Sequence, residues 1–374
     1  MLSTLSGNGI SIVRPMLQHL DYWFGVDLFF AISGYVIARS LVPSLLAYQG
    51  QVSKQLAVIG AFWIRRAWRL LPSAWLWLGV ILLAVVCFNQ SGAYGSLHAN
   101  LLATSAGLFN YANVRFGHAI FHYEYGASFV YWSLSLEEQF YLVLPLLVLC
   151  FRRRIDLFML MVVVVQINLF HTPMLMAFRT DAMAWGVLLA TASLATAYAA
   201  IAPRCLLRLG HARWVLPCLL WAALAVLASP ALVYWPPRIS AIAAISAMLV
   251  WIASYDEGYL LPHGRIRDAL AWLGARSYAL YLIHVPVFFA IREICHRAGI
   301  ALANNTVTAC VFGAMAIGLT ILLAQLNYRY VEQPLKRRGH LIADRFLTRK
   351  GLLERRHGTS MTIPRAAESS KNLA

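Results

Sequence analysis

Nine apolar stretches in this 374-residue chain are long enough, or nearly long enough, to cross a bilayer as helices. In hydrocarbon every backbone N–H and C=O must be satisfied within the protein, which a helix achieves by itself. We therefore predict an all-α polytopic membrane protein with about nine transmembrane helices. The predicted spans lie near 24–46, 69–88, 132–151, 155–171, 180–199, 213–229, 239–255, 276–295 and 305–329. A tenth stretch, 97–111, is shorter, and we predict a helix there that does not span.

Composition and charge support a membrane protein. Hydrophobic residues make up 60% of the chain and charged residues only 12%, whereas a soluble domain carries about 25% charged residues. The formal net charge is +16, but the basic residues lie in short loops between apolar runs, which argues against a nucleic-acid partner. The anionic surface of a bilayer is the predicted partner of this charge.

The same charges predict an orientation in the inner cell membrane. Basic clusters at 65–69, 152–154 and 336–338 fall in alternate loops, so these loops and the C-terminus are predicted to be cytoplasmic. Residues 1–23 have the composition of a loop remnant, and 24–340 form the predicted membrane domain. Residues 341–374 are polar and basic, and we predict a largely disordered cytoplasmic tail.

Carboxylates inside apolar runs are the first candidates for chemistry. Glu137 and Glu138 enter a span that otherwise consists of apolar residues, and Asp27 lies about one turn inside the first span. An ionised carboxylate in hydrocarbon costs several kcal/mol, so such groups usually face a cavity, a partner charge or a substrate. We predict catalytic roles for all three. The alternative is that the two glutamates cap or anchor the outer helix end. Gly25, Ser33 and Gly34, in the span of Asp27, are predicted to serve helix packing.

An arginine pair and a histidine complete the candidate site. Arg66 and Arg69 are three positions apart, share a helix face and could grip phosphate groups bidentately. Their alternative role is the ordinary anchoring of a cytoplasmic helix end. His284 lies about half-way along a span, where it could transfer protons. Alternatively, it could bond to a backbone carbonyl that Pro286 leaves free.

Five segments in this order resemble the membrane-bound acyltransferase family 3. They are GVDLFFAISG at 25–34, RRAWRLLP at 65–72, WSLSLEEQFY at 132–141, SYALYLIHVP at 277–286 and YRYVEQP at 328–334. The resemblance implies transfer of an acyl group, usually acetyl, from acyl-CoA to a hydroxyl of a cell-surface or exported carbohydrate. It also implies that Arg66 and Arg69 meet the phosphates of CoA, the co-substrate, and that the acceptor is a carbohydrate or glycolipid.

The resemblance also implies a span before the first of these segments, carrying a basic residue and a catalytic histidine. In this sequence Arg14 and His19 precede the segment, without an apolar run around them. The expectation is therefore a family member whose first span is missing and whose catalytic base is uncertain.

Two alternatives to acyl transfer remain open from the residues. Carboxylates and a histidine inside a bundle also suit a glycolipid transporter or flippase, and a catalytically inactive truncated family member would keep the same motifs. No metal-ligand pattern and no nucleotide-binding motif occurs in the sequence, and no metal site is predicted.

Overall fold

The computed structural model describes residues 23–353, except 120–121, 170–171, 209, 211–212, 214, 233–234, 262–263 and 301–305. This part of the chain is helical and contains no strand. Its helices are α1 Gly25–Ala47, α2 Val52–Cys87, α3 Leu97–Leu108, α4 Ala112–Ala119, α5 Tyr131–Phe151, α6 Ile155–Asn168, α7 Asp181–Ala192, α8 Val215–Ala228, α9 Arg238–Ala253, α10 Arg265–Ala275, α11 Ser277–Arg297, α12 Thr306–Asn327 and α13 Gln333–Arg349. Shorter elements are Arg152–Arg154, Pro173–Met176, Thr196–Ile201, Cys205–Arg208, Pro230–Leu232 and a π-helical turn, Tyr328–Glu332.

All nine predicted spans coincide with helices, but several of these helices are short. Among the described residues, four helical segments are long and apolar enough to cross a membrane, or up to five if one bent pair counts as a span. The four are Gly25–Ala47, Val52–Cys87, Ser277–Arg297 and Cys310–Arg349. By contrast, α6 to α9 have 12 to 16 residues, and 16 residues reach only about 24 Å of the ~30 Å hydrocarbon core. The all-α prediction is confirmed, whereas the count of nine spans stays a prediction.

A close helix crossing in the core joins α1 to α7. A Cβ atom on Gly34 would lie 2.3 Å from the carbonyl oxygen of Met183, and one on Gly186 would lie 2.3 Å from that of Ala31. Small residues allow this approach, which brings backbones into van der Waals contact. The packing role predicted for Gly34 is therefore confirmed. Gly25 makes no such contact with the described residues, because none of their atoms lies within 4 Å of a Cβ placed there.

The short helices α3 and α4 form a hairpin that dips into the bundle beside α5. Asn110, at the tip, has a left-handed backbone with φ of 56°, a conformation that asparagine tolerates well. Gln139 of α5 donates to the Asn110 carbonyl at 2.8 Å and exchanges two side-chain hydrogen bonds with Asn113, at 2.9 and 3.1 Å. The predicted short helix at 97–111 is thus present, and it reaches the level of the carboxylates.

The C-terminal helix α13 packs along the first half of α2. Ala343 and Leu347 are buried against Ala57 and Ala61, and a Cβ atom on Gly339 would lie 2.4 Å from Cβ of Trp68. The prediction of disorder from residue 341 is wrong up to Arg349, because small and apolar residues four positions apart give this polar helix a packing face. The rest of the predicted tail, from 354, and the predicted loop remnant up to 22 lie outside the described residues.

Candidate active site

Glu137 is the centre of a buried polar cluster between α1 and α5. Its side chain is 2% exposed, and its Oε1 accepts hydrogen bonds from the hydroxyls of Ser33 and Tyr141. Its Oε2 is buried and has no hydrogen-bond partner among the described residues. A buried carboxylate oxygen without a donor is costly. This oxygen is therefore the atom of the cluster that is poised to take a proton or bind a polar ligand.

The arginine pair of α2 belongs to the same site. The Arg66 guanidinium lies over the ring of Tyr141, 5.1 Å from its centroid, and both Arg66 and Arg69 are close enough to Glu137 for their charges to interact. Arg69 Nε is buried without a hydrogen-bond partner in the described part of the chain. The guanidinium groups of these two α2 residues therefore exert a positive electrostatic potential at the Glu137 carboxylate.

Glu138 points away from this cluster, as expected for adjacent helix positions. It is half-buried and lines a cavity of about 140 Å³ together with Arg66 and Asn110 at the tip of the α3–α4 hairpin. Neither glutamate caps a helix end, because α5 begins at Tyr131, almost two turns earlier, and has no side-chain cap. The capping alternative is therefore wrong for both residues.

Asp27 forms a buried ion pair with Arg179 near the start of α1. Their side chains are 0% and 2% exposed, and Asp27 Oδ2 lies 3.1 Å from Arg179 Nη2. The guanidinium carbon of Arg179 lies 5.0 Å from the ring of Trp23 and 5.4 Å from that of Trp132. We call this region, where α1 and α5 begin, the Asp27 end of the bundle.

His284 lies apart from the other candidates. Its side chain is exposed, and its Nδ1 lies 2.7 Å from the carbonyl oxygen of Tyr281, one helical turn earlier. A bond from His284 to a backbone carbonyl was the structural alternative in the sequence. The observed acceptor, however, is the carbonyl of Tyr281 and not that of Leu282, which Pro286 leaves free. The Tyr281 hydroxyl contacts Ser133 of α5 at 2.6 Å, so His284 is connected to the carboxylate helix only indirectly.

Another buried carboxylate, Glu332, lies in the π-helical turn that α2 contacts. It interacts electrostatically with Arg69 and Lys336, whereas Arg329, three residues earlier, is exposed and lies over Tyr330. On α13, Asp344 pairs with Arg65 at 2.7 Å. The last motif segment therefore supports Arg69 through Glu332, and Glu332 forms no ion pair with Arg329.

Sequence reasoning missed several members of the site. Ser33 was expected to pack, and Tyr141 and Gln139 were not singled out, yet all three hold the α1, α5 and hairpin elements together. Each of the three residues lies inside one of the motif segments, and that position is the sequence signal by which it could have been found. The pairing of Arg179 with Asp27 had no such signal, since the two are distant in sequence.

Comparison with known proteins fits this arrangement. The acyltransferase domain family (Acyl_transf_3) matches residues 5–325. The chain is 24% identical over 367 residues to the peptidoglycan O-acetyltransferase OatA of Listeria monocytogenes, covering 89% of the chain and 55% of that protein. It is 28% identical over 373 residues to the putative peptidoglycan O-acetyltransferase YrhL of Bacillus subtilis, covering 88% and 54%.

A putative O-acetyltransferase of Staphylococcus aureus is 26% identical over 378 residues, covering 88% of the chain and 56% of the relative. The chain thus spans about half the length of the curated relatives it matches. No solved structure matches it. The match over most of the chain, together with the motif residues gathered around Glu137, confirms the resemblance seen in the sequence: this chain belongs to the acyltransferase 3 family.

Proposed function

We propose that this protein transfers an acetyl group from acyl-CoA to a hydroxyl of a cell-surface carbohydrate, in the inner membrane. The observation that carries the proposal is the buried Glu137 cluster with two arginines beside it, in a chain of the acyltransferase family. The names of the relatives OatA and YrhL make peptidoglycan the first acceptor to test. The chain is proposed to cross the membrane several times, with its C-terminus in the cytoplasm.

Glu137 is the proposed general base. Its Oε2 would take the proton of the acceptor hydroxyl while the hydroxyl oxygen attacks the thioester carbonyl carbon. The carbon–sulfur bond then breaks, the ester forms and CoA leaves as a thiolate that takes up a proton. Ser33 and Tyr141 occupy Oε1, so they would fix the carboxylate in one orientation.

Arg66 and Arg69 are the proposed contacts of the acyl donor. Guanidinium groups bind phosphate through charge-assisted hydrogen bonds, and the unpaired Nε of Arg69 supports an anionic ligand at this place. Glu138 shares the cavity of Arg66 and is proposed to position that side chain. Asp27 is proposed to hold Arg179 at the end where the acceptor enters.

Acetyl transfer from labelled acetyl-CoA to peptidoglycan glycan fragments, in membranes that contain the protein, tests the proposal. We expect Glu137→Gln to abolish transfer without loss of protein, because glutamine keeps the shape of the side chain but cannot take the proton. His284→Gln is the matched control, and we expect it to keep most of the activity. Loss of transfer in His284→Gln but not in Glu137→Gln would make His284 the base. Movement of a glycolipid across the membrane without consumption of acetyl-CoA would instead support the alternative function, a glycolipid transporter or flippase.

A further inference from the structure

A second cavity, of about 450 Å³, opens beside the segment that joins α2 to α5. Its volume lies within the ~300–1,000 Å³ range of small-molecule sites. Aromatic rings dominate its lining, and they come from three parts of the chain. The aromatic lining residues are Tyr94, Phe116, Tyr123, Tyr125, Phe129 and Phe289. None of them belongs to the Glu137 cluster.

The inner rings of this aromatic cavity are held rigidly. Tyr94 donates its hydroxyl to the carbonyl of Pro286 at 2.9 Å, and Tyr125 donates to that of Ala112 at 3.3 Å. The Arg115 guanidinium lies 5.0 Å from the centre of the Tyr125 ring, and it donates to the Tyr125 carbonyl at 3.1 Å. These contacts make a preformed surface.

The rim combines polar groups with a half-exposed tyrosine ring, over which the Arg115 guanidinium lies at 5.3 Å. Tyr123 is 49% exposed, and Glu124 beside it is also exposed. Gly95 and Gly126 line the cavity with positive φ values of 79° and 108°. A Cβ atom at Gly95 would lie 1.9 Å from the Glu124 carboxylate. Gly95 therefore leaves room for the Glu124 carboxylate, which accepts from the Ser96 N–H at 3.0 Å through Oε1.

The aromatic cavity lies at the Asp27 end of the bundle. Phe116 lines it and stacks on Trp132, with the ring centres 5.3 Å apart and the planes 11° apart. Trp132 in turn lies against Arg179, the partner of Asp27. A continuous set of aromatic and charged side chains thus leads from the cavity to the buried ion pair.

We propose that the aromatic cavity binds a pyranose ring of the glycan acceptor, one or more units away from the ring that is acetylated. This inference rests on the proposed function and adds the acceptor subsite to it. A sugar ring offers apolar C–H faces to aromatic rings and hydroxyl groups to carboxylate and carbonyl acceptors. The Glu124 carboxylate on the rim balances the charge of Arg115, whose guanidinium lies 5.3 Å from the Tyr123 ring, so the rim has no net positive charge to hold a lipid phosphate and favours a neutral sugar. A subsite of this kind would orient a long chain and select glycan over single sugars.

Replacement of Tyr123 by alanine tests the subsite. We expect the KM for a glycan fragment to rise about ten-fold, while the KM for acetyl-CoA and kcat stay unchanged. Tyr123→Phe should keep the wild-type KM, because the ring remains. Phe109→Ala is the matched control: this aromatic residue is 77% exposed in the same segment but does not line the cavity.

Direct binding separates this inference from the proposed function. A Tyr123→Trp variant would report binding of an N-acetylglucosamine tetramer by a change in fluorescence, with or without acetyl transfer. In calorimetry, Tyr123→Ala should bind the tetramer about ten-fold more weakly than wild type. Normal transfer with equal acceptor KM in Tyr123→Ala and wild type would overturn the subsite and leave the function standing. Tetramer binding by a protein that transfers no acetyl group would support the subsite and contradict the function. Absence of tetramer binding would overturn the subsite.

Discussion

Removing the carboxylate of Asp27 should destabilise this protein strongly. Asp27 is the ion-pair partner of Arg179, and both side chains are essentially inaccessible. In Asp27→Ala the guanidinium keeps its charge but loses its counter-ion. Trp23 and Trp132 still contact it, and such cation–π contacts contribute only about 0.5–2 kcal/mol each.

The expected cost follows from the burial of the pair. Breaking a buried ion pair by removing one partner costs about 3–5 kcal/mol, because the remaining charge is buried without compensation. An exposed ion pair contributes less than about 1 kcal/mol. The chain offers such a pair for comparison, since Arg267 Nη2 lies 2.6 Å from Asp256 Oδ1 and the Asp256 side chain is 83% exposed.

Thermal unfolding of the detergent-purified protein, followed by tryptophan fluorescence, measures both effects. We expect Asp27→Ala to lower the midpoint several times more than Asp256→Ala does. The double variant Asp27→Ala, Arg179→Met should recover part of the loss, because the guanidinium is then removed together with its ion-pair partner. Equal midpoints for Asp27→Ala and Asp256→Ala would refute the reasoning, as would a double variant less stable than Asp27→Ala.

Three further changes test the packing, the donor site and the topology. Gly34→Ala should lower the unfolding midpoint, because its Cβ would meet backbone at 2.3 Å, whereas Gly25→Ala, with no atom of the described residues within 4 Å of its Cβ, should not. Arg66→Ala should raise the KM for acetyl-CoA by a factor equivalent to about 1–3 kcal/mol; lysine should restore it only partly, and an unchanged KM would exclude the contact. Reporter fusions at Arg154 and Gly117 should lie on opposite sides of the membrane, and finding both on one side would contradict the predicted topology.

The helices and the family could be predicted from the sequence because both depend on local information. The length of an apolar run determines whether a helix can be buried in a bilayer, and each predicted span between 24 and 329 contains a helix. The motif segments are likewise short and contiguous, and they already contained Glu137, Arg66 and Asp27. The helix at 333–349 was missed because its packing residues are interspersed with charges.

Tertiary structure alone decided which of these residues meet. Ser33 and Glu137 are 104 positions apart, and their hydrogen bond depends on how α1 crosses α5 rather than on either sequence segment. The same holds for Asp27 with Arg179, and for the α3–α4 hairpin that carries Asn110 to the cavity of Glu138 and Arg66. The residue types and their helices were therefore determined locally, because hydropathy and helical period act over a few turns. The site was determined by packing, because its polar groups find partners only where distant helices come into contact.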